Sequence, residues 1–206
     1  MEATVSNTPH RYFIVYKPRE MVSQFVSPHK IKLLGDLDFD FPEGTHAIGR
    51  LDINSEGLLL LTTNKKVTKL LFESDVKHKR SYLVQVRHMV TEETRQQLES
   101  GVLIRAKGGG DYTTKPCEVS IIEDPAGMLP AGYDIKEYSP SSWIMITLTE
   151  GKYRQVRKMV AAVKHQCKRL ARVSIEDMNV QGLEPGRVVE IDEKTFFAKL
   201  KIDHYG

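Results

Sequence analysis

The chain has 206 residues, 40% apolar and 28% charged, with a formal net charge of +3 and two cysteines. That length holds one substantial domain or two small ones, and the composition excludes intrinsic disorder, collagen and a coiled-coil rod. No apolar run approaches the roughly 20 residues of a membrane helix, and residues 1–9 lack the apolar core of a signal peptide. Cys117 and Cys167 suggest neither a disulfide framework nor a zinc site, so a reducing cytoplasm is the expected compartment and no membrane partner is expected.

Tyr12-Phe-Ile-Val-Tyr16 is β-branched and aromatic and is stopped by Pro18, which predicts a first strand near a sheet edge. Gly57 to Thr62, with its four leucines, suits a strand buried on both faces, although periodicity does not separate it from a buried helix. Val67 to Phe72 is expected to be a short helix. From Ser81 to Arg87 the residues alternate, with Tyr82, Val84 and Val86 on one side, as in a half-buried strand. Thr91 as N-cap, Glu92 and Glu93 in the first turn and Gly101 at the end predict a helix over 92–100. Gly108-Gly-Gly110 before Asp111 reads as a hairpin turn rather than a phosphate cradle.

Pro116 to Ile122 and Trp143 to Leu148 are further predicted strands, separated by a long loop, 124–142, that holds Pro125, Pro130 and Pro140. Within Tyr153 to Lys164, Val156, Met159, Val160 and Val163 recur at i, i+3, i+4 and i+7, which predicts an amphipathic helix. Arg154, Arg157, Lys158 and Lys164 then share its other side. Strands outnumber helices and most connections are too short for parallel crossovers, so the expected class is α+β around a mixed, largely antiparallel sheet.

The positive charge is concentrated. Residues 150–172 carry eight bases and one acid, which leaves the remainder of the chain net negative. Lys77, Lys79, Arg80 and Arg87 form a second cluster. Such clusters are the footprint of a nucleic-acid site, or else a solvated helix face. Phosphate-loop, dinucleotide and zinc-protease motifs do not occur. Arg50 and Asp52 lie between Gly49 and Gly57 just ahead of the leucine strand, where sheet proteins place reactive groups. On its own, Asp52 reads as a structural loop aspartate more readily than as a catalyst.

Gly-Arg-Leu-Asp-x-x-Ser-Glu-Gly-Leu-Leu, at 49–59, resembles the central motif of the RNA pseudouridine synthases related to the ribosomal small-subunit synthase A. Three segments agree in order: Lys17-Pro18, Tyr82 after Lys79-Arg80, and Glu150-Gly-Lys-Tyr-Arg-Gln-Val-Arg-Lys-Met159. The resemblance spans about 11–191, and the proline-rich loop before Ser142-Trp143 is most similar to the family branch of the large-subunit pseudouridine synthase E. Many relatives have Asn where this chain has Tyr16 and Lys where it has Arg80, which bears on the subgroup. The resemblance implies the pseudouridine synthase catalytic fold over 11–206, behind an extension of residues 1–10 and without the small N-terminal RNA-binding module of the ribosomal protein S-four type.

It also implies an enzyme that isomerises uridine in ribosomal RNA, that of the large subunit, acting as a monomer with no cofactor and no metal. By match to the family motif, Asp52 is the catalytic carboxylate, acting as nucleophile on the sugar or as base toward its C2′ proton. Arg157 matches the partner that holds Asp52 ionised, and otherwise reads as a phosphate ligand. Tyr82 matches the active-site tyrosine, which can stack on the uracil and take the C5 proton, and otherwise is a core residue. Arg50 is a wedge or phosphate contact for the flipped nucleotide, or a loop salt bridge. Lys17, Arg80, Lys152, Arg154 and Lys158 are expected phosphate ligands, and Trp143 a core residue. The alternatives are a non-catalytic RNA-binding ribosome-assembly factor, and a glycoside hydrolase in which Glu56 would have to face Asp52 across the sugar.

Overall fold

The computed structural model describes residues 9–73, 76–130 and 140–205. The strands are β1 (Tyr12–Lys17), β2 (His46–Ile48), β3 (Glu56–Thr62), β4 (Arg80–Arg87), β5 (Leu103–Arg105), β6 (Asp111–Thr113), β7 (Glu118–Ile122), β8 (Ser141–Leu148), β9 (Cys167–Ile175), β10 (Met178–Asn179) and β11 (Val188–Ile191). Between them lie the helices α1 (Val67–Phe72), α2 (Glu92–Ser100), α3 (Gln155–Ala162) and α4 (Glu193–Lys199). The main sheet runs β11-β1-β3-β9-β4-β8-β7, with β2 on β3 and β10 on β9, while β5 and β6 form a separate hairpin. Among these strand pairs only β3 with β9 is parallel. This is the expected α+β class, and among the described residues no helix is long and apolar enough to cross a membrane.

Both faces of the sheet are covered, in two halves. Over β1 and β3, Tyr12, Tyr16, Leu58 and Leu60 pack on one face with Leu71 of α1 and Phe196 and Phe197 of α4. Phe13, Val15, Leu59 and Leu61 pack on the other face with Leu34 and Leu37. In the second half, Val84, Ile144 and Ile146 meet Val156, Met159 and Val160 of α3, and Leu83, Trp143 and Ala171 meet Leu129 behind. Trp143 is thus a core residue, only 4% exposed.

This double cover corrects one expectation. β4 is buried on both faces from Leu83 to Val86 rather than half-buried, because β9 and β8 flank it and Leu129 closes its back. β1 lies near the sheet edge as expected, next to the edge strand β11, and Pro18 follows the strand and removes no ladder bond from it. The helix expected over 153–164 begins at Gln155, because Arg154 adopts a left-handed conformation at φ 53°, ψ 34°. The 108–110 turn joins β5 to β6 as a hairpin. Of the long loop, 124–130 holds one short 3-10 turn, Ala126–Met128, and residues 131–139 lie outside the described residues, as does most of the N-terminal extension.

The two halves meet where Gly57 pairs with Arg172 across β3 and β9. Gly57 has φ 98°, and a Cβ there would stand 2.2 Å from the Arg172 carbonyl oxygen. A side chain at this position is therefore excluded twice, by backbone conformation and by space. Gly57→Ala is expected to lower unfolding free energy by roughly 3 kcal/mol or more in urea melts; a loss below about 1 kcal/mol would show that the two strands separate freely.

Candidate active site

Asp52 sits in the loop between β2 and β3, and that loop is gripped from two sides. On one side Ser23 Oγ accepts from Leu51 N–H at 3.0 Å and donates to Leu51 O at 3.0 Å, while Glu20 N–H donates to Ile53 O at 2.8 Å. On the other, the Arg157 guanidinium donates to Asn54 O at 2.8 Å and to Ser55 Oγ at 3.2 Å. A turn from Ser55 N–H to Asp52 O at 2.9 Å closes the loop. The Asp52 side chain is left one-third exposed, with Arg154 Nε 3.7 Å from Oδ2.

The ion-pair partner of Asp52 is therefore Arg154, not the expected Arg157. The reason is the left-handed Arg154, which lies outside α3, off the face it was expected to share with Arg157. The turn that presents it is locked by Glu150. Burial pushes the Glu150 carboxyl up, but bonds from Tyr112 OH, Lys115 N–H and Gln155 Nε2 outweigh it and hold the group below the usual carboxylate range. Gln155 Oε1 in turn accepts from Lys152 N–H at 2.8 Å. Arg157 is placed as a positioning residue for the loop.

Tyr82 and Arg172 are paired across β4 and β9. Arg172 lies at the end of the basic run with no motif to distinguish it from its neighbours, and sequence reasoning misses it. Its side chain is buried and Nε donates to Leu58 O at 2.8 Å. Desolvation lowers its affinity for its proton, with Tyr82 opposing. Arg172 Nη2 is buried with no hydrogen-bond partner among the described residues.

Asp52, Tyr82, Arg172, Arg154 and Arg50 all line one pocket of about 780 Å³, within the usual range of ligand sites. Its lining carries eight Lys and Arg against two carboxylates, Asp52 and Glu150. Lys152 and the half-buried Arg80 also line it, with Lys152 Nζ 4.7 Å from the Tyr112 ring centre and Arg80 over Phe72. A smaller recess beneath, floored by Leu148, Val156 and Leu170, is also lined by Asp52 and Tyr82.

Other expected residues are elsewhere. Lys158 Nζ donates to Arg105 O at 2.6 Å, tying α3 to the β5–β6 hairpin. Lys17, expected on a phosphate, is fully buried with Nζ on the carbonyls of Pro18 at 2.8 Å and Met21 at 2.7 Å. It organises the segment that supplies Glu20 and Ser23 to the Asp52 loop. Glu56 is 0% exposed and its carboxylate accepts from Arg169 Nε at 2.6 Å, so it does not face a sugar held by Asp52, and Glu150, the other carboxylate of the pocket, is engaged by Tyr112, Lys115 and Gln155.

Burial pushes the Lys17 ammonium down to about 8, against the attraction of Glu56 and Asp52. Between about 8 and the ordinary 10.5 the unfolded chain holds the extra proton, so stability rises with pH through that window and the cost is constant below it. From pH 7.5 to 10 the parent should gain roughly 2 kcal/mol of unfolding free energy relative to Lys17→Met. An equal difference at both pH values in urea melts would show that Lys17 keeps its ordinary protonation.

Comparison with known proteins gives the family. The family model described as RNA pseudouridylate synthase matches residues 11–162. Ribosomal large subunit pseudouridine synthase E of Vibrio vulnificus (strain CMCP6) is 34% identical over 191 residues, covering 91% of this chain and 78% of the relative. The same-named protein of Xanthomonas axonopodis pv. citri (strain 306) is 32% identical, covering 84% and 89%. A solved structure titled as a crystal structure of pseudouridylate synthase superposes with a TM-score of 0.74 at 26% identity, covering 93% of this chain and 74% of that one. A family match over most of the chain, with relatives above 30% identity along nearly all of it, makes this chain a member of the RNA pseudouridine synthase family.

Proposed function

We propose that this chain isomerises uridine to pseudouridine in ribosomal RNA of the large subunit, with Asp52 as the catalytic carboxylate. The observation that carries the reading is the convergence of Asp52, Tyr82 and Arg172 in one strongly basic pocket. The names of the relatives, both large-subunit synthases, support the choice of RNA.

The reaction breaks the bond from N1 to the sugar C1′, turns the base and joins C5 to the same carbon, so no atom enters or leaves overall. A uridine stacked in RNA must first leave its stack, and Arg50, exposed and lining the pocket, fits as the group that takes its place or holds its phosphate. Asp52, one-third exposed with Arg154 Nε 3.7 Å from Oδ2, can attack C1′ or remove the C2′ proton. Tyr82 can stack on the uracil and receive the C5 proton once the new bond has formed. Arg172 Nη2, a buried donor without a partner among the described residues, suits a uracil oxygen. A binding factor without turnover would not need a carboxylate on a loop clamped from two sides in a basic pocket.

Asp52→Asn keeps size and removes charge and nucleophilicity. With fold and RNA affinity retained, pseudouridine formed per enzyme on ribosomal RNA should fall by at least about a thousandfold, or roughly 4 kcal/mol. A folded, RNA-binding Asp52→Asn protein within about tenfold of the parent rate would remove Asp52 from the chemistry.

Replacing Arg50 and Lys152 together by Gln should flatten the dependence of log affinity on log salt by about 1.4, near 0.7 for each phosphate no longer neutralised. An unchanged slope in filter binding would place the RNA on another face.

A further inference from the structure

Tyr153 stands out among residues lining the active pocket. It is 52% exposed, yet its ring is held in place, with Lys158 Nζ 5.3 Å and Lys107 Nζ 5.5 Å from the ring centre. Lys158 is fixed by its bond to Arg105 O, whereas Lys107 is exposed next to the Gly108–Gly110 turn, around which a Cβ at any of the three glycines would meet nothing within 4 Å. An aromatic side chain in the core needs no ammonium neighbours. One that lies half-exposed beside two of them, lining a pocket for a charged polymer, offers a flat stacking face and phosphate counter-charges together.

The geometry points to a nucleotide subsite at this rim, in which a base next to the target uridine in single-stranded RNA stacks on Tyr153 while its phosphate takes the Lys107 ammonium. The subsite deepens the proposed reading of the pocket and rests on it for its substrate. Arg154 and Tyr153 are consecutive, so the locked turn that sets Arg154 beside Asp52 also sets the ring's distance from the reacting carbon. The ammonium attraction to the ring is exchanged for attraction to the phosphate, and the base gains the aromatic face. Stacking has no hydrogen-bond requirement, so the subsite accepts any base and positions the strand without reading its sequence.

The test uses a ten-residue oligouridylate as probe, with and without 4-thiouridine. Tyr153→Ala should weaken oligouridylate binding about tenfold, and Tyr153→Phe, which keeps the ring, should bind within about twofold of the parent. In the parent, irradiation of the thiolated probe should give an adduct that peptide mass spectrometry locates at Tyr153, a readout that needs no variant to fold. On ribosomal RNA the Ala variant should show its loss in KM rather than in kcat. Unchanged binding by Tyr153→Ala, an equal loss in Tyr153→Phe, or an adduct confined to other residues would overturn the subsite. A parent that makes no pseudouridine but binds the probe through Tyr153 would overturn the reaction and leave the subsite standing, so the two failures are distinguishable.

Discussion

The close parallel approach of β3 to β9 at Gly57 is the constraint on which the site depends. Gly57 brings the Arg172 backbone within a distance that no side chain would permit, and the same register pairs Arg172 with Tyr82 on the opposite strand. The Asp52 loop enters β3 immediately before this point. One backbone contact thus brings together three groups that lie far apart in sequence. The cost of excluding a side chain from Gly57 is conformational freedom in the unfolded chain, and the return is a fixed spacing between a carboxylate, a phenol and a guanidinium.

That arrangement requires charge inside the protein. Glu56 with Arg169, and Lys17 on two carbonyls, sit where an apolar core would be simpler to fold. Each is satisfied, and each fixes something: Arg169 spans from β9 to the first residue of β3, and Lys17 organises the turn that feeds Ser23 and Glu20 to the Asp52 loop. Removing one partner of such a pair is far more damaging than the net worth of the pair, because the other charge stays buried. The basic run at 150–172 is therefore two things. Arg169 belongs to the interior, Arg172 is buried yet lines the pocket, and the more exposed Lys152 and Arg154 line it too.

This division explains what is legible in the sequence. The leucine strand, the capped helix 92–100 and the glycine hairpin follow from local chemistry, and the structure has them where the residues predict. β9 is not legible, because Lys168, Arg169 and Arg172 interrupt its apolar pattern and the burial of the two arginines depends on partners over a hundred positions away. The motif residues Asp52 and Tyr82 are legible by resemblance and do meet in one pocket. Lys17 misleads for the same reason as β9, since an isolated lysine reads as a surface charge until its two carbonyls are known. The exchange of roles between Arg154 and Arg157 turns on one left-handed residue, which a helical projection of the sequence does not contain.

Those two arginines divide the work in a way that suits an open site. Arg157 is directed to backbone and hydroxyl acceptors that exist whether or not RNA is bound, so it holds the Asp52 loop at all times. Arg154 is 45% exposed and its pairing with Asp52 is long at 3.7 Å. In open water such a pair contributes little, of the order of 1 kcal/mol or less. On the proposed reading, an RNA strand that covers the pocket and expels water puts the same two charges in a lower dielectric, and the attraction strengthens several-fold. The Arg154–Asp52 pair is thereby weak in the free protein and, on that reading, strong in the complex. Its stabilising effect is then largest when the substrate is in place.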